Sequence, residues 1–269
     1  MALNFWKKLT NPLITKLGRM KEKAKFDKKP IIIGGSPRSG TTLLLSIIGA
    51  HPDIYAFPEE LGVFFEWHNE VQYFFNDKRG RGKLVPRLDR FYRAMLKFSI
   101  PNNVTRRCEK SPRNVTHFGK NLDFFDGEVQ LIHIIRDVRD VMLSKHPTKP
   151  NEYWVEPEKW VKCVKAGLEY KDHPQVLTIK YENLILNSTQ TIKKICEFLN
   201  EKCVEELYDY FEHTNVQNSS AWYNGVQKLH SESVEKWKKD ENQARVEEVM
   251  ENEEVIELLK RLDYPVKKS

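Results

Sequence analysis

A three-layer α/β sandwich, with a mostly parallel central sheet covered by helices, is the fold predicted for this 269-residue chain. Three observations predict it. Short β-branched runs occur without the alternation of a half-exposed strand, as expected for strands buried on both faces. A helical pattern follows each run, which argues for right-handed βαβ units. With 40% hydrophobic and 30% charged residues, the chain can build one large core and a solvated surface.

The first run, Ile31–Gly35, leads into a helical pattern over residues 41–50. Helical and loop character follows, including residues 64–75 and the basic tip at 78–83, which reads as an exposed loop. A second run, residues 129–135, leads into the polar stretch 136–146; a third, Val176–Lys180, precedes the helical pattern after Asn187. Residues 234–264 are rich in Glu and Lys and read as a solvated helical covering layer. No internal repeat or Gly/Ser-rich linker divides the chain, so residues 30–269 are expected to form a single domain behind a basic arm, residues 1–29.

Charge is concentrated in that arm. It carries nine lysines or arginines against Glu22 and Asp27, a net +7 in a chain whose total is +6. A body that is nearly neutral argues against a nucleic-acid-binding face. Within the arm, Phe5, Trp6, Leu9, Leu13, Ile14 and Leu17 alternate with lysines, a pattern compatible with weak contact to an anionic membrane surface. Pro12 interrupts it, and a helix docked on the domain or a frayed leader fits equally. No apolar run approaches the roughly 18 residues needed to span a bilayer. Cys108, Cys163, Cys196 and Cys203 are scattered without metal-ligand spacing, and no secretory signal is evident, so a cytoplasmic protein without a metal is expected.

The chemistry centres on the segment after the first strand: Gly35, Ser36, Pro37, Arg38, Ser39, Gly40, Thr41 and Thr42. A strand running through glycines into a helix start is the context of a phosphate cradle, in which backbone N–H groups bind an anion. Gly35 and Gly40 have Walker A spacing, so the fold is expected to be similar to the P-loop nucleotide kinases. Thr41 stands where the Walker lysine would be, however, and Arg38 supplies a planar cation inside the loop.

This loop resembles the 5′-phosphosulfate loop of the sulfotransferases that use 3′-phosphoadenosine 5′-phosphosulfate (PAPS). A second segment carries the resemblance further, because Ile135, Arg136 and Asp137 through Ser144 look like the family's 3′-phosphate motif, with Arg136 ending a strand and Ser144 on the following helix. The resemblance extends from about Ile31 to Tyr264. In motif pattern it is nearest the tyrosylprotein-like and bacterial branch; the histidine base of cytosolic small-molecule sulfotransferases has no counterpart, so His51, His117 and His133 read as structural.

The resemblance implies the remaining roles. In the His51-Pro-Asp segment, ungapped matching from Arg38 makes Glu59 the base that takes the acceptor hydroxyl's proton, with Glu60 in reserve. Lys110, which precedes Arg136 by 26 residues, would stabilise the leaving oxygen. Tyr181 would lie near the nucleotide, Ser219 would support the transition state, and Ser220 and Lys236 would lie near the 3′-phosphate or adenosine. Arg106 and Arg107 have the ordinary surface reading. The implied enzyme moves a sulfuryl group from PAPS to a hydroxyl-bearing acceptor. Two other readings stay open: a P-loop nucleotide or sugar kinase, and a non-enzymatic module for polyanions or membrane surfaces.

Overall fold

Three consecutive isoleucines followed by two glycines make Ile31–Gly35 a strand, β1, because β-branched side chains suit a pleated surface and this one is covered on both faces. The computed structural model describes residues 2–69, 84–146, 149–217, 225–226 and 228–266. Helix α1, Ala2–Lys25, precedes β1; α2, Thr41–Ile48, follows it; then come β2, Ile54–Ala56, β3, Trp67–Asn69, β4, Leu84–Pro86, and α3, Leu88–Lys97. Strand β5, Arg106–Lys110, leads through a 3-10 helix, Pro112–His117, into α4, Phe118–Phe124. Next are β6, Gln130–Ile135, α5, Val138–Met142, β7, Lys145–His146, β8, Lys149–Tyr153, α6, Pro157–Leu168, and β9, Val176–Lys180. Helices α7, Tyr181–Leu186, α8, Ser188–Leu199, α9, Tyr210–His213, α10, Gln243–Met250, and α11, Glu253–Arg261, complete the described α-helices, with short 3-10 turns between α8 and α10.

The central sheet has the order β2-β5-β1-β6-β9, and every pair in it is parallel. Helices cover both faces, as the sequence predicts. Ile132, Ile134, Leu44, Leu45, Ile192 and Ile195 fill the side under α2 and α8. Ile32, Leu131, Phe57, Phe91, Met95 and Phe118 fill the side under α3 and α4. A third cluster, including Val141, Trp160, Val249 and Leu258, joins α5 and α6 to α10 and α11. Each such fully buried side chain contributes roughly 1.5–3 kcal/mol. Because the chain leaves β1 towards β2 on one side and reaches β6 on the other, the loops at the carboxyl ends part beside β1 and open a crevice there.

The sequence shows three of these five strands. Strand β5 escapes it because its residues, Arg-Arg-Cys-Glu-Lys, look solvated yet all five are buried. The surface reading of Arg106 and Arg107 is therefore corrected. Arg106 reaches the carbonyls of Lys29 (2.6 Å) and Leu199 (2.8 Å) and pairs with Glu201 at 3.1 Å. Arg107 pairs with Glu22 at 3.1 Å and lies 4.2 Å from the centre of the Phe91 ring. Distant partners, not local pattern, make a central strand of this segment. Residues 67–69, within the stretch read as helix and loop, form a strand that pairs antiparallel with β4, Trp67 packing edge-on against Phe124. The basic tip at 78–83 lies outside the described residues.

Helix α1 docks on α3: Gly18 packs against Tyr92, and Lys21 Nζ donates to the carbonyls of Met95 (2.5 Å) and Phe98 (3.1 Å). Leu13, Leu17 and Met20 remain exposed on it. No described helix is long and apolar enough to cross a membrane.

Glu109, fully buried on β5, accepts from Asn114 Nδ2 at 2.7 Å, and burial pushes its carboxyl up to about 7. The folded state thus holds a proton that the unfolded chain releases above its ordinary value of 4.5, so stability falls as pH rises from about 4.5 to 7. Glu109→Gln should remove this slope and gain up to about 3 kcal/mol relative to wild type between acid and pH 8. Urea midpoints at pH 5 and pH 8 check it; parallel slopes for the two proteins would refute it.

Candidate active site at the carboxyl ends of the strands

Beyond Gly35 the chain turns tightly, with Ser39 N–H donating to the Ser36 carbonyl at 3.2 Å. Arg38 (φ 69°) and Gly40 (φ 92°) take the left-handed conformation that folds the loop back over the start of α2. Gly40 caps that helix without any side-chain acceptor, so the first-turn N–H groups face the loop rather than a capping oxygen. Ser36, Ser39, Thr41 and Thr42 are buried around them, and Pro37 is half-buried. Ser39 Oγ has no hydrogen-bond partner among the described residues. Such an orphaned donor under a ring of N–H groups suits an anion.

A second cation enters from β6. Arg136 Nη1 donates to the Arg38 carbonyl at 3.0 Å and Nη2 to the Ser233 carbonyl at 2.5 Å, while its Nε is buried without a partner among the described residues. Its guanidinium lies 4.5 Å from the centre of the Tyr181 ring, and Tyr181 Oη shares a 2.7 Å hydrogen bond with Ser233 Oγ. Tyr181 also lies so near Gly40 that a Cβ there would collide with the ring. The structure thereby joins the two sequence-predicted anion loops and Tyr181 at one place.

Asp140 accepts from the backbone N–H groups of Glu235 (2.8 Å) and Trp237 (3.0 Å). This anchors the left-handed turn at Glu235 and brings Lys236 within the field of Arg136. Partial burial, then the Arg136 charge, hold the Lys236 ammonium below its usual range; burial pushes Asp140 up to about 6 against the opposing pull of Arg136. Two like charges are thus held together beside a single buried carboxylate. Ser144 is half-buried beyond α5, and its carbonyl takes the Trp154 N–H at 3.0 Å. The Trp154 ring centre then lies 5.6 Å from the Arg38 guanidinium.

At the end of β5, Lys110 Nζ donates to Glu60 at 2.6 Å; the lysine is buried and the glutamate half exposed. Glu59, the first choice from motif matching, turns instead to Lys97 at 2.5 Å on the surface. Ser219 and Ser220 lie outside the described residues. Sequence reasoning missed Asp140, Ser233 and Trp154. Asp140 looks like part of a salt-bridged helix start, which fits Asp137 and Arg139 (2.6 Å) but not Asp140 itself. Nothing local marks Ser233 or Trp154.

His51, Asp53 and Glu201 cluster at metal-ligand spacing. Both His51 nitrogens have backbone partners, the Lys202 carbonyl and the Asp53 N–H, and Glu201 is bound by Lys28 and Arg106, so the cluster is explained without an ion. Burial lowers His133 to about 3, which keeps it neutral in the core.

A family model described as a sulfotransferase domain matches residues 28–256. Among curated proteins, 3-alpha-hydroxysteroid sulfotransferase of Cavia porcellus is 28% identical over 123 residues, covering 38% of this chain and 43% of its own length. An uncharacterized protein of Aquifex aeolicus is 23% identical over 254 residues, covering 83% of this chain and 32% of its own. The matched segments span less than half the length of these curated relatives. Two solved structures share the fold. The sulfotransferase domain from the curacin biosynthetic pathway has a TM-score of 0.57 at 15% identity, covering 90% of this chain and 100% of that one. The corresponding domain of the Synechococcus PCC 7002 olefin synthase has a TM-score of 0.60 at 17% identity, covering 90% and 97%.

Gly40→Ala tests the loop geometry. A left-handed alanine costs roughly 1–3 kcal/mol, and the Tyr181 collision adds to that. Urea unfolding should show a loss of this order, and an unchanged midpoint would contradict the geometry.

Proposed function

The chain belongs to the sulfotransferase domain family, and from that premise we propose that it transfers a sulfuryl group from PAPS to a hydroxyl-bearing acceptor. The observation that carries this reading is the 3.0 Å hydrogen bond from Arg136 to the Arg38 carbonyl, which unites two anion loops 98 residues apart. A nucleotide with phosphates at both ends needs two such loops; a triphosphate would need the lysine that Thr41 replaces. The orphaned Ser39 Oγ and Arg136 Nε support the fit, each with hydrogen-bonding capacity unused among the described residues.

In this reading the first-turn N–H groups of α2, Arg38, Ser39, Thr41 and Thr42 hold the 5′-phosphosulfate. Arg136, Ser144 and Lys236 hold the 3′-phosphate, Tyr181 and Ser233 back Arg136, and the resemblance adds Ser219 and Ser220. Glu60, rather than Glu59, serves as base, because it alone of the two reaches Lys110. The acceptor oxygen attacks sulfur in line as its proton passes to the Glu60 carboxylate. The bond from sulfur to the bridging oxygen breaks, and Lys110, released from Glu60, steadies the charge that develops on the departing phosphate. No step in this scheme requires a metal. Four free thiols fit the reducing cytoplasm as the working compartment, and the exposed face of α1 offers a weak contact to an anionic membrane.

Titration with 3′,5′-adenosine bisphosphate, compared with ATP and magnesium, tests the donor site. The bisphosphate should raise the melting temperature selectively, and Arg38→Ala or Arg136→Ala should abolish that effect; selective binding of ATP would sink the proposal. Glu60→Gln should lower kcat at least roughly 100-fold while leaving bisphosphate affinity intact. A larger kcat loss from Glu59→Gln would transfer the role of base to Glu59.

A further inference from the structure

Arg136 and Asp137 share one peptide plane, and side chains from other elements hold both of its polar atoms. The Arg136 carbonyl accepts from Nε1 of the fully buried Trp160 on α6 at 3.0 Å. The Asp137 N–H donates to Glu182 Oε1, in the first turn of α7, at 2.9 Å. A trans peptide points its carbonyl and N–H in opposite directions, so these two grips fix the plane from opposite sides. The other carboxylate oxygen of Glu182 is taken as well, accepting from Tyr264 Oη at 2.7 Å. Burial, then the Glu182 charge, push the Tyr264 hydroxyl up, so it stays protonated and is the donor. Tyr264 arrives there by a defined turn. Beyond α11, Asp263 takes φ 54°, its N–H bonds the Lys260 carbonyl (3.1 Å) and the Tyr264 N–H bonds the Leu259 carbonyl (2.9 Å), the two bonds of a Schellman motif. Lys180, the last residue of β9, donates to the Leu262 carbonyl and lies 4.5 Å from the centre of the Tyr264 ring, which latches this turn to the sheet.

We propose that Glu182 and Tyr264 are positioning residues for Arg136, and that through it they set the selectivity of the site for a nucleotide bearing a 3′-phosphate. The proposal rests on the reading in which Arg136 holds that phosphate. Strand β6 ends at Ile135, so the ladder no longer orients the chain where Arg136 leaves it, and the Arg136–Asp137 plane is instead set by the two side-chain grips. The direction of that plane aims the Arg136 side chain at the Arg38 and Ser233 carbonyls, with Nε left over. A binding group works only when the residues behind it are themselves locked. Tyr264 supplies that lock for Glu182, since a carboxylate held at both oxygens cannot swing away from the Asp137 N–H. Consecutive residues thus serve one guanidinium: Lys180 holds the turn, Tyr181 stacks under the fork, and Glu182 fixes the backbone behind it.

The test is isothermal titration of the full chain and its variants with 3′,5′-adenosine bisphosphate and with adenosine 5′-monophosphate, which differ only in the 3′-phosphate. The wild type should bind the bisphosphate roughly a hundredfold more tightly, as two charge-assisted hydrogen bonds imply. Tyr264→Phe, which removes one hydroxyl, should lower that preference roughly threefold to tenfold, and Glu182→Ala, which frees the Asp137 N–H, roughly tenfold or more. Glu182→Gln should keep most of it, because the amide oxygen still accepts the Asp137 N–H. Monophosphate affinity should be the same in all these proteins. An unchanged preference in either Tyr264→Phe or Glu182→Ala, or an equal loss for both nucleotides, overturns the positioning role, and so does a Glu182→Gln variant as impaired as Glu182→Ala. If Glu182→Ala fails to fold, Tyr264→Phe decides. A wild type with no preference for the bisphosphate sinks the reading of Arg136 itself, and the positioning role falls with it.

Discussion

The site depends on one guanidinium reaching across the sheet. Arg136 leaves the end of β6 and donates to the carbonyl of Arg38 in the loop after β1 and to the carbonyl of Ser233, nearly a hundred residues further along. Both hydrogen bonds go to backbone carbonyls, and the buried Nε has no partner among the described residues, so the fork keeps a donor to offer an anion. The stacking of Tyr181 beneath it fixes the plane of the fork, and Gly40 must lack a side chain for that ring to be there. Loop conformation, ring packing and anion affinity are thus one constraint.

Asp140 solves the complementary problem. The segment around residues 233–238 has little regular structure, only short 3-10 turns, and still holds Lys236 within the field of Arg136. A single buried carboxylate accepting two backbone N–H groups anchors it, while the 3.5 Å stacking of Arg139 on Trp237 adds the packing. The cost of burying Asp140 shows in its raised affinity for a proton.

On the other side of β1, strand β5 links scaffold and chemistry. Arg106 and Arg107 tie the segments around Glu201 and Glu22 to the sheet, and the same strand ends in Lys110 against Glu60. Removing one partner of Arg106–Glu201, the pair of these that is buried at both ends, costs about 3–5 kcal/mol, because the other charge is left stranded. A strand built from charged residues therefore places an ammonium at the crevice with the rigidity of the sheet behind it. It also holds α1 through Glu22, and α1 lies along α3.

The α/β class, the strands β1, β6 and β9, the tight loop after β1 and the place of Arg136 at the end of β6 were all legible in the sequence, since β-branched runs, glycine spacing and an arginine at a strand's end act through local conformation. Glu59 and Glu60 could not be told apart, because adjacent residues satisfy the same motif and only their opposite side-chain directions, to Lys97 and to Lys110, separate them. Strand β5 was hidden for a related reason: its charges look solvated until Glu22, Glu201 and Asn114 arrive from elsewhere in the chain. By itself the sequence determined what each segment can be and which anion chemistry its loops suit. Only the tertiary structure decided which side chains meet, because pairing a buried charge depends on partners that local periodicity does not specify.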